Sequence, residues 1–494
     1  YNNFLIAEAP YSYNNATASN RVPRRFETRI RTTRLFTTLN FGFYNQLFLN
    51  VGAAAESGSP FQRNATFYYP SADLAWQFSQ LPFLSTSRVL SFGKLRLAAG
   101  IVGVQPEPYR TSTDFTSASF AGGWGGTLTG TVYGNGGFVQ SSQQGDPNLR
   151  PERKSEWEVG TDLRFLNDRI STGFTYYRNE IRDLLLEVAA APTTGFTTRY
   201  TNAGTMTNRG WETELSARVI QKDGFSIDLI ANASRNINRV TDLAGTDQIV
   251  LGGFSTLTSS VAKVGYSLSA LYGGRYARRP DGSLDLNENG FPKVDPNFNV
   301  IGDPNPQWRA GFGTNISFKK FTLNVLFETF QGADFAPNTQ SVLYNFGTHA
   351  DVGNEVTIPA GGLVNYVGQR VAAGTVVRGN IRDFGAGPVL LDENWYTTLG
   401  QGFSALQEQF IQDGSWTRLR EATLSYSLNS EGFRKRTRLQ SVDFSVTGRN
   451  LLLWTKIVGI DPETSLNGAA NGRGQDYFNN PGSKSLVFSV RINY

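Results

Sequence analysis

The chain offers little for covalent catalysis. Its single histidine, His349, lies in a polar stretch, YNFGTHADVG, and any Ser-His-Asp triad would have to use it. There is no cysteine, which excludes thiolate nucleophiles, disulfides and zinc–thiolate sites. Carboxylates pair at i, i+2 in two places, Glu156/Glu158 and Glu212/Glu214. Residues two apart on a strand share one face, so each pair could serve as a glycosidase's acid and nucleophile. Arg164 and Arg218 fall on the same faces, and that favours a solvated charge network instead. The stretch DLNENG (285–290) spaces Asp285, Asn287, Asn289 and Gly290 like the first half of an EF-hand loop. Its twelfth position is Pro296 where the motif needs a bidentate Glu, so that reading fails. An Asn/Gly turn is expected there, with a weak loop calcium site as the alternative. The Gly-rich GGWGGTLTGTVYGNGG (122–137) has no strand-to-helix setting for a phosphate. Its Trp124 and Tyr133 could stack on sugars or pack on a partner. No catalytic, cofactor or metal residue is assigned. Substrate contacts are sought at Trp124, Tyr133 and the loop around 336–400.

The elements that must carry these residues repeat every two positions. In 308–318, Trp308, Ala310, Phe312, Ile316 and Phe318 alternate with Arg309, Gly311, Gly313, Asn315 and Ser317. Lys319-Lys320 turns the chain, and Phe321, Leu323, Val325 and Phe327 resume the alternation. This is an amphipathic hairpin. The same pattern runs through 155–176, 211–229, 35–43 and 442–446, in roughly 14–16 segments. The last stretch, SLVFSVRINY (485–494), is another two-faced strand ending on an aromatic. A short helix is expected at 407–416, leading into a further strand.

A soluble sandwich and a membrane barrel both use such strands. Strand length, a polar face rich in Glu, Arg, Asp and Gly, and the alternation of tight turns with long connections favour the barrel. The long connections fall at 105–150, 241–258, 279–304 and 336–400. Trp157, Trp211, Trp308 and Trp416 would suit interfacial girdles. The expected fold is all-β, a transmembrane antiparallel β-barrel with long extracellular loops. The bulk properties agree. Mean hydropathy is −0.31, and no apolar run is long enough for a membrane helix. The net charge of +5 is scattered, which argues against a nucleic-acid surface.

Four phrases carry a family resemblance. GDPNLRPERKSEWEVGTDLRF (145–165) is similar to the stretch that introduces a barrel strand in TonB-dependent outer-membrane transporters. TNAGTMTNRGWETEL (201–215), IGDPNPQWRAGFGTNISFKKF (301–321) and VTGRNLLLWTKIVGIDPE (446–463) resemble phrases of the SusC-like branch, in the expected order. The resemblance implies an outer-membrane importer of the Bacteroidetes type, Gram-negative in setting and not an enzyme. Such a protein is a barrel of about 22 strands around a plug. It works with a SusD-like lipoprotein that captures oligosaccharide or peptide, with TonB acting through the plug, and in pairs of transporter–lipoprotein units set in outer-membrane lipids. No TonB box, carboxypeptidase-like domain or plug is recognised in 1–494, so the chain is expected to be the C-terminal part of the barrel. A non-transporting barrel scaffold for surface lipoproteins or secretion components is the alternative, followed by a passive porin and an outer-membrane enzyme.

Overall fold

The computed structural model describes residues 27–61, 65–121, 127–129, 137–254, 257–468 and 470–494. One sheet of 13 strands dominates, and each strand pairs with the next in sequence. The strands are β1 (Thr32–Phe43), β2 (Leu47–Gly58), β3 (Phe67–Trp76), β4 (Leu90–Val104), β5 (Glu152–Phe165), β6 (Ile170–Arg182) and β7 (Thr205–Lys222). They continue as β8 (Phe225–Asp242), β9 (Trp308–Phe318), β10 (Phe321–Gln331), β11 (Trp416–Leu428), β12 (Ser441–Thr455) and β13 (Ser485–Asn493). Every pairing in this wall is antiparallel.

Register keeps the two faces distinct across the whole wall. Leu49, Leu74, Leu97, Val159, Tyr176 and Trp211 lie opposite one another from β2 to β7. Further on, Phe312, Phe327, Leu419 and Leu452 do the same. Leu97, Phe312, Leu424 and Val490 leave this face exposed, as lipid requires. A one-residue slip would turn every such side chain to the other face, so the alternation itself fixes the register.

The connections alternate in length along the wall. Turns at 44–46, 166–169, 223–224 and 319–320 lie at one end, with the longer links 77–89 and 429–440. The opposite end carries the short 59–66 link and the long 105–151, 183–204, 243–307, 332–415 and 456–484. Short turns on one side and long loops on the other is the outer-membrane arrangement. β1 and β13 are the open edges, and both run from the loop end to the turn end. Pairing them directly would set two parallel strands together, so an antiparallel barrel needs further strands between them. Among the described residues the wall has fewer strands than the segments counted from pattern alone.

The shortfall lies in the loops, where period-two stretches form small hairpins outside the wall. Glu355–Thr357 pairs with Val376–Arg378, and Asn380–Asp383 with Pro388–Leu391. Helices α1 (Asn338–Asn345) and α2 (Glu393–Tyr396) join them, and α3 (Glu431–Thr437) occupies the link between β11 and β12. At 407–416 a 3-10 turn, Gln407–Phe410, leads through Gln412–Asp413 into β11, much as expected.

Gly210, in the NRGWETEL phrase, has a plain physical role. A Cβ there would stand 2.1 Å from the Arg235 carbonyl and 2.6 Å from the Tyr177 hydroxyl. The Asp-Pro phrases are Asx turns: Asp146 accepts from the Asn148 N–H (2.9 Å), Asp303 from Asn305 (2.9 Å) and Asp461 from Glu463 (3.1 Å). These turns steer the chain between loop and wall.

Candidate functional site

The polar face of the wall carries charge in ordered rows. At one height Arg96, Gly160, Thr175, Glu212, Ser234 and Arg309 stand directly opposite their neighbours from β4 to β9. Arg96 donates to Asp162 (3.0 Å) and to Thr175 Oγ1 (3.1 Å), and Lys94 also reaches Asp162 (2.7 Å). Arg309 Nε donates to Ser234 Oγ at 3.0 Å. Arg96, Thr175, Glu212, Ser234 and Arg309, with Glu214, Asn232 and Glu328, line a recess of about 590 Å³.

Nearer the loops runs a chain of amides. Lys154 pairs with Glu156 at 2.6 Å. Asn179 donates to Glu156 (2.7 Å), Asn208 to Asn179 (2.9 Å), and Asn238 to Asn208 (2.7 Å). The N–H of Leu268, in the 243–307 loop, donates to Asn238 Oδ1 at 2.7 Å. The wall and this loop are therefore joined by one run of hydrogen bonds.

Both glutamate pairs lie on the polar face, as the alternation requires. The cations expected beside them do not close on them. Arg164 sits over the Phe92 ring, 5.0 Å from its centroid, and Arg218 pairs with Asp228 at 3.2 Å. Lys154 neutralises Glu156 instead. Among the four tryptophans offered as girdle residues, Trp157 packs on Tyr176 at 5.7 Å on the apolar face. Trp416 does otherwise. It is buried, stacked on Phe330 (5.8 Å), with the Arg420 guanidinium 5.2 Å from its ring centroid.

Above the wall the loops fold on one another into a crown. Tyr276, Phe291, Phe384, Val389, Leu391, Trp395, Tyr396, Leu399 and Leu406 form one buried cluster drawn from the 243–307 and 332–415 loops. Burial pushes the Tyr276 hydroxyl up to about 12. The 336–400 segment, where substrate contacts are sought, places Phe384, Trp395 and Tyr396 in this core. Gln475 ties in the third loop. Its oxygen accepts from Ser260 Oγ (2.6 Å) and Ser260 N–H (2.9 Å), and its nitrogen donates to the Thr258 carbonyl (2.8 Å). The same amide meets Asn338 at 3.3 Å. Arg418, buried at the top of β11, pairs with Asp461 and Glu463 (2.7 Å each) and clamps the 456–484 loop to the wall. Asp146 accepts from Thr201 Oγ1 (2.5 Å) and Arg199 (3.0 Å). Burial raises its carboxyl, but the Thr201 and Asn148 hydrogen bonds and the Arg199 charge outweigh that and hold it below its usual range.

The remaining sequence candidates take structural places. His349 Nδ1 accepts from the Asp351 N–H (3.2 Å) as a cap, and its ring lies 4.4 Å from that of Tyr344. In the 285–290 stretch, Asp285 is paired with Lys293 (3.1 Å), and Asn287 Oδ1 accepts from the Asn289 and Phe291 N–H groups (3.0 Å each). That is the Asn/Gly turn, with its carboxylate already neutralised. Trp124 and Tyr133 lie outside the described residues. Gln475 went unread in the sequence because a lone Gln in a polar loop carries no pattern. Arg418 was legible by parity, two residues beyond Trp416.

Two-faced meander, polar inner rows and a crown at one end now stand together. The family model for the TonB dependent receptor-like β-barrel matches residues 1–451. The chain belongs to that family. A TonB-dependent receptor of Formosa agariphila is 23% identical over 521 residues, covering 99% of this chain and 48% of the relative. The TonB-dependent receptor SusC of Bacteroides thetaiotaomicron is 26% identical over 465 residues, covering 89% and 42%. The RagAB peptide importer in its closed-closed state superposes with a TM-score of 0.72 at 20% identity, over 97% of this chain and 49% of that one. The chain thus spans about half the length of the relatives it matches. The receptor barrel is an outer-membrane structure, SusC-like within its family, and the family is one of transporters and not of enzymes.

Proposed function

We propose that residues 1–494 form the C-terminal part of the barrel of a SusC-type, TonB-dependent importer. The plug and N-terminal region lie outside this chain in that reading. A SusD-like surface lipoprotein delivers oligosaccharides or peptides to the crown, TonB acts through the plug, and transporter–lipoprotein units pair. The observation that carries the reading is the polar, charge-lined inner wall joined by hydrogen bonds to a folded crown. A passive pore needs the wall alone. A solute-selecting importer needs loops of fixed shape above it. The similarity to a solved peptide importer bears on the fold, and it makes peptide the first substrate class to try.

The test uses the full-length protein from outer membranes. Co-purification of a SusD-like lipoprotein is expected, with solute uptake lost when TonB is deleted or the proton gradient is dissipated. Ohmic conductance of the purified protein in planar bilayers, with uptake indifferent to TonB, would replace the importer with a porin.

A further inference from the structure

The turn end of the wall is basic along one continuous arc. Lys222 closes β7 beside the 223–224 turn, Lys319 and Lys320 make the next turn, and Arg434, Lys435, Arg436 and Arg438 fill the link after β11. These connections touch. The Lys319 N–H donates to the Gly224 carbonyl (2.6 Å), and the Ser427 N–H to the Lys320 carbonyl (2.9 Å). Ser430 caps α3, and Arg438 ends it in the left-handed region at φ 59°, so the cluster is held on an ordered turn.

Few of these cations have partners. Lys435 pairs with Glu431 at 2.8 Å. Lys222, Lys319, Lys320, Arg436 and Arg438 form no ion pair among the described residues. Asp223 and Glu431 are the acids of the same turns. At the loop end several cations are neutralised by nearby acids. There Arg275 pairs with Asp295, Arg278 with Glu408, Lys293 with Asp285, and Lys456 with Asp413, all within 3.1 Å.

Just inside the arc lies an aromatic band on the apolar face. Phe225 and Phe318 meet edge-on at 6.2 Å, and Phe321 packs on Tyr426 at 4.8 Å. Phe318 and Phe321 are both exposed. Lys319 Nζ sits 5.4 Å from the Phe318 ring centroid, tying basic arc to aromatic band. Rings at the interface with unpaired ammonium and guanidinium groups one step beyond it place the charge at head-group depth. A soluble partner would leave the aromatic band without a role.

We infer that this arc binds anionic phospholipid head groups of the periplasmic leaflet. The recognised chemistry is a phosphate diester carrying net negative charge, met by several lysines and arginines at once. Each such residue near an anionic surface is worth about a five-fold gain in binding.

The test uses the full-length protein in nanodiscs and in detergent. Wild type is compared with a variant carrying K222Q at the last rung of β7 and K319Q, K320Q, R434Q, R436Q and R438Q at turns outside the wall's ladder. Native mass spectrometry in mixed phosphatidylethanolamine and phosphatidylglycerol should show phosphatidylglycerol retained by wild type and reduced about ten-fold or more in the variant. A second variant, R370Q with R378Q on the crown, should retain it like wild type. Heat-modifiable migration reports that both variants fold. Equal phosphatidylglycerol retention by wild type and the turn variant overturns the inference. So does displacement of the lipid by millimolar inorganic phosphate, which would mark a site for the free anion.

Discussion

Replacing Gln475 by Ala should loosen three loops at once. The amide is fully buried where the 243–307, 332–415 and 456–484 loops meet. Its removal strands the Ser260 N–H and leaves the Thr258 carbonyl with only a long 3.4 Å hydrogen bond from the Phe254 N–H, while the Ser260 hydroxyl can rotate toward the Arg473 carbonyl, which it already reaches at 3.2 Å. A buried backbone group left without a partner costs about 1–3 kcal/mol, and with only the Ser260 N–H so left the loss is about 1–3 kcal/mol. That corresponds to opening about five-fold to about 150-fold more frequent, since about 1.4 kcal/mol is a factor of ten. The assay is amide hydrogen exchange followed by mass spectrometry on the full-length protein. Exchange should accelerate together in peptides covering 257–263, 334–345 and 464–480, with β7 and β8 unchanged. Gln475→Glu should behave like Ala, because a carboxylate cannot donate to the Thr258 carbonyl. Acceleration confined to 464–480 would refute the reasoning, since it would mean the loops are held independently.

Four further outcomes are expected. Leu97→Lys should destabilise the barrel by about 2–4 kcal/mol in urea titrations in liposomes, whereas Ala98→Lys, next to it but facing Asp73 and Glu158, should be nearly neutral. Equal effects would mean the two faces are misassigned. Arg418→Ala should cost about 3–5 kcal/mol of local stability by leaving the buried Asp461 without its cation, Glu463 keeping Arg420, read as faster trypsin cleavage at Arg473. Tyr276 is buried, its hydroxyl lacks a partner, and its pKa is pushed up from 10.0 to about 12. Its contribution is complete below pH 10 and is lost as pH rises toward 12, so Tyr276→Phe should flatten the alkaline loss of crown stability without lowering stability at neutral pH. Gly210→Ala should displace Tyr177 and break its 3.1 Å hydrogen bond to Asn236, lowering the yield of heat-modifiable barrel.

The sequence by itself determined the wall. Alternation of side chains is a local property with a fixed period of two, so Trp308 to Phe318 announces a two-faced strand whatever surrounds it. Turn and loop lengths are local too, and they set which end of the wall carries the crown. Asp146, Asp303 and Asp461 announce their turns because an Asx turn closes within three residues. Even the polarity of the glutamate pairs follows from parity.

Tertiary structure decided what these groups touch. Arg164 shares a face with Glu156 and Glu158, yet it lies over Phe92, because a long side chain chooses its partner across strands as well as along one. Trp416 fails as a girdle residue because it shares the face of Arg418 and stands opposite Phe330 on the inner side, with Arg420 beside its ring. Phe384, Trp395 and Tyr396 of the 336–400 segment fill a core with Tyr276 and Phe291, which come from a different loop. Gln475 gains its role only where three loops converge. Contacts between loops far apart in sequence have no period, so no pattern in the chain records them until the wall brings their ends to one side.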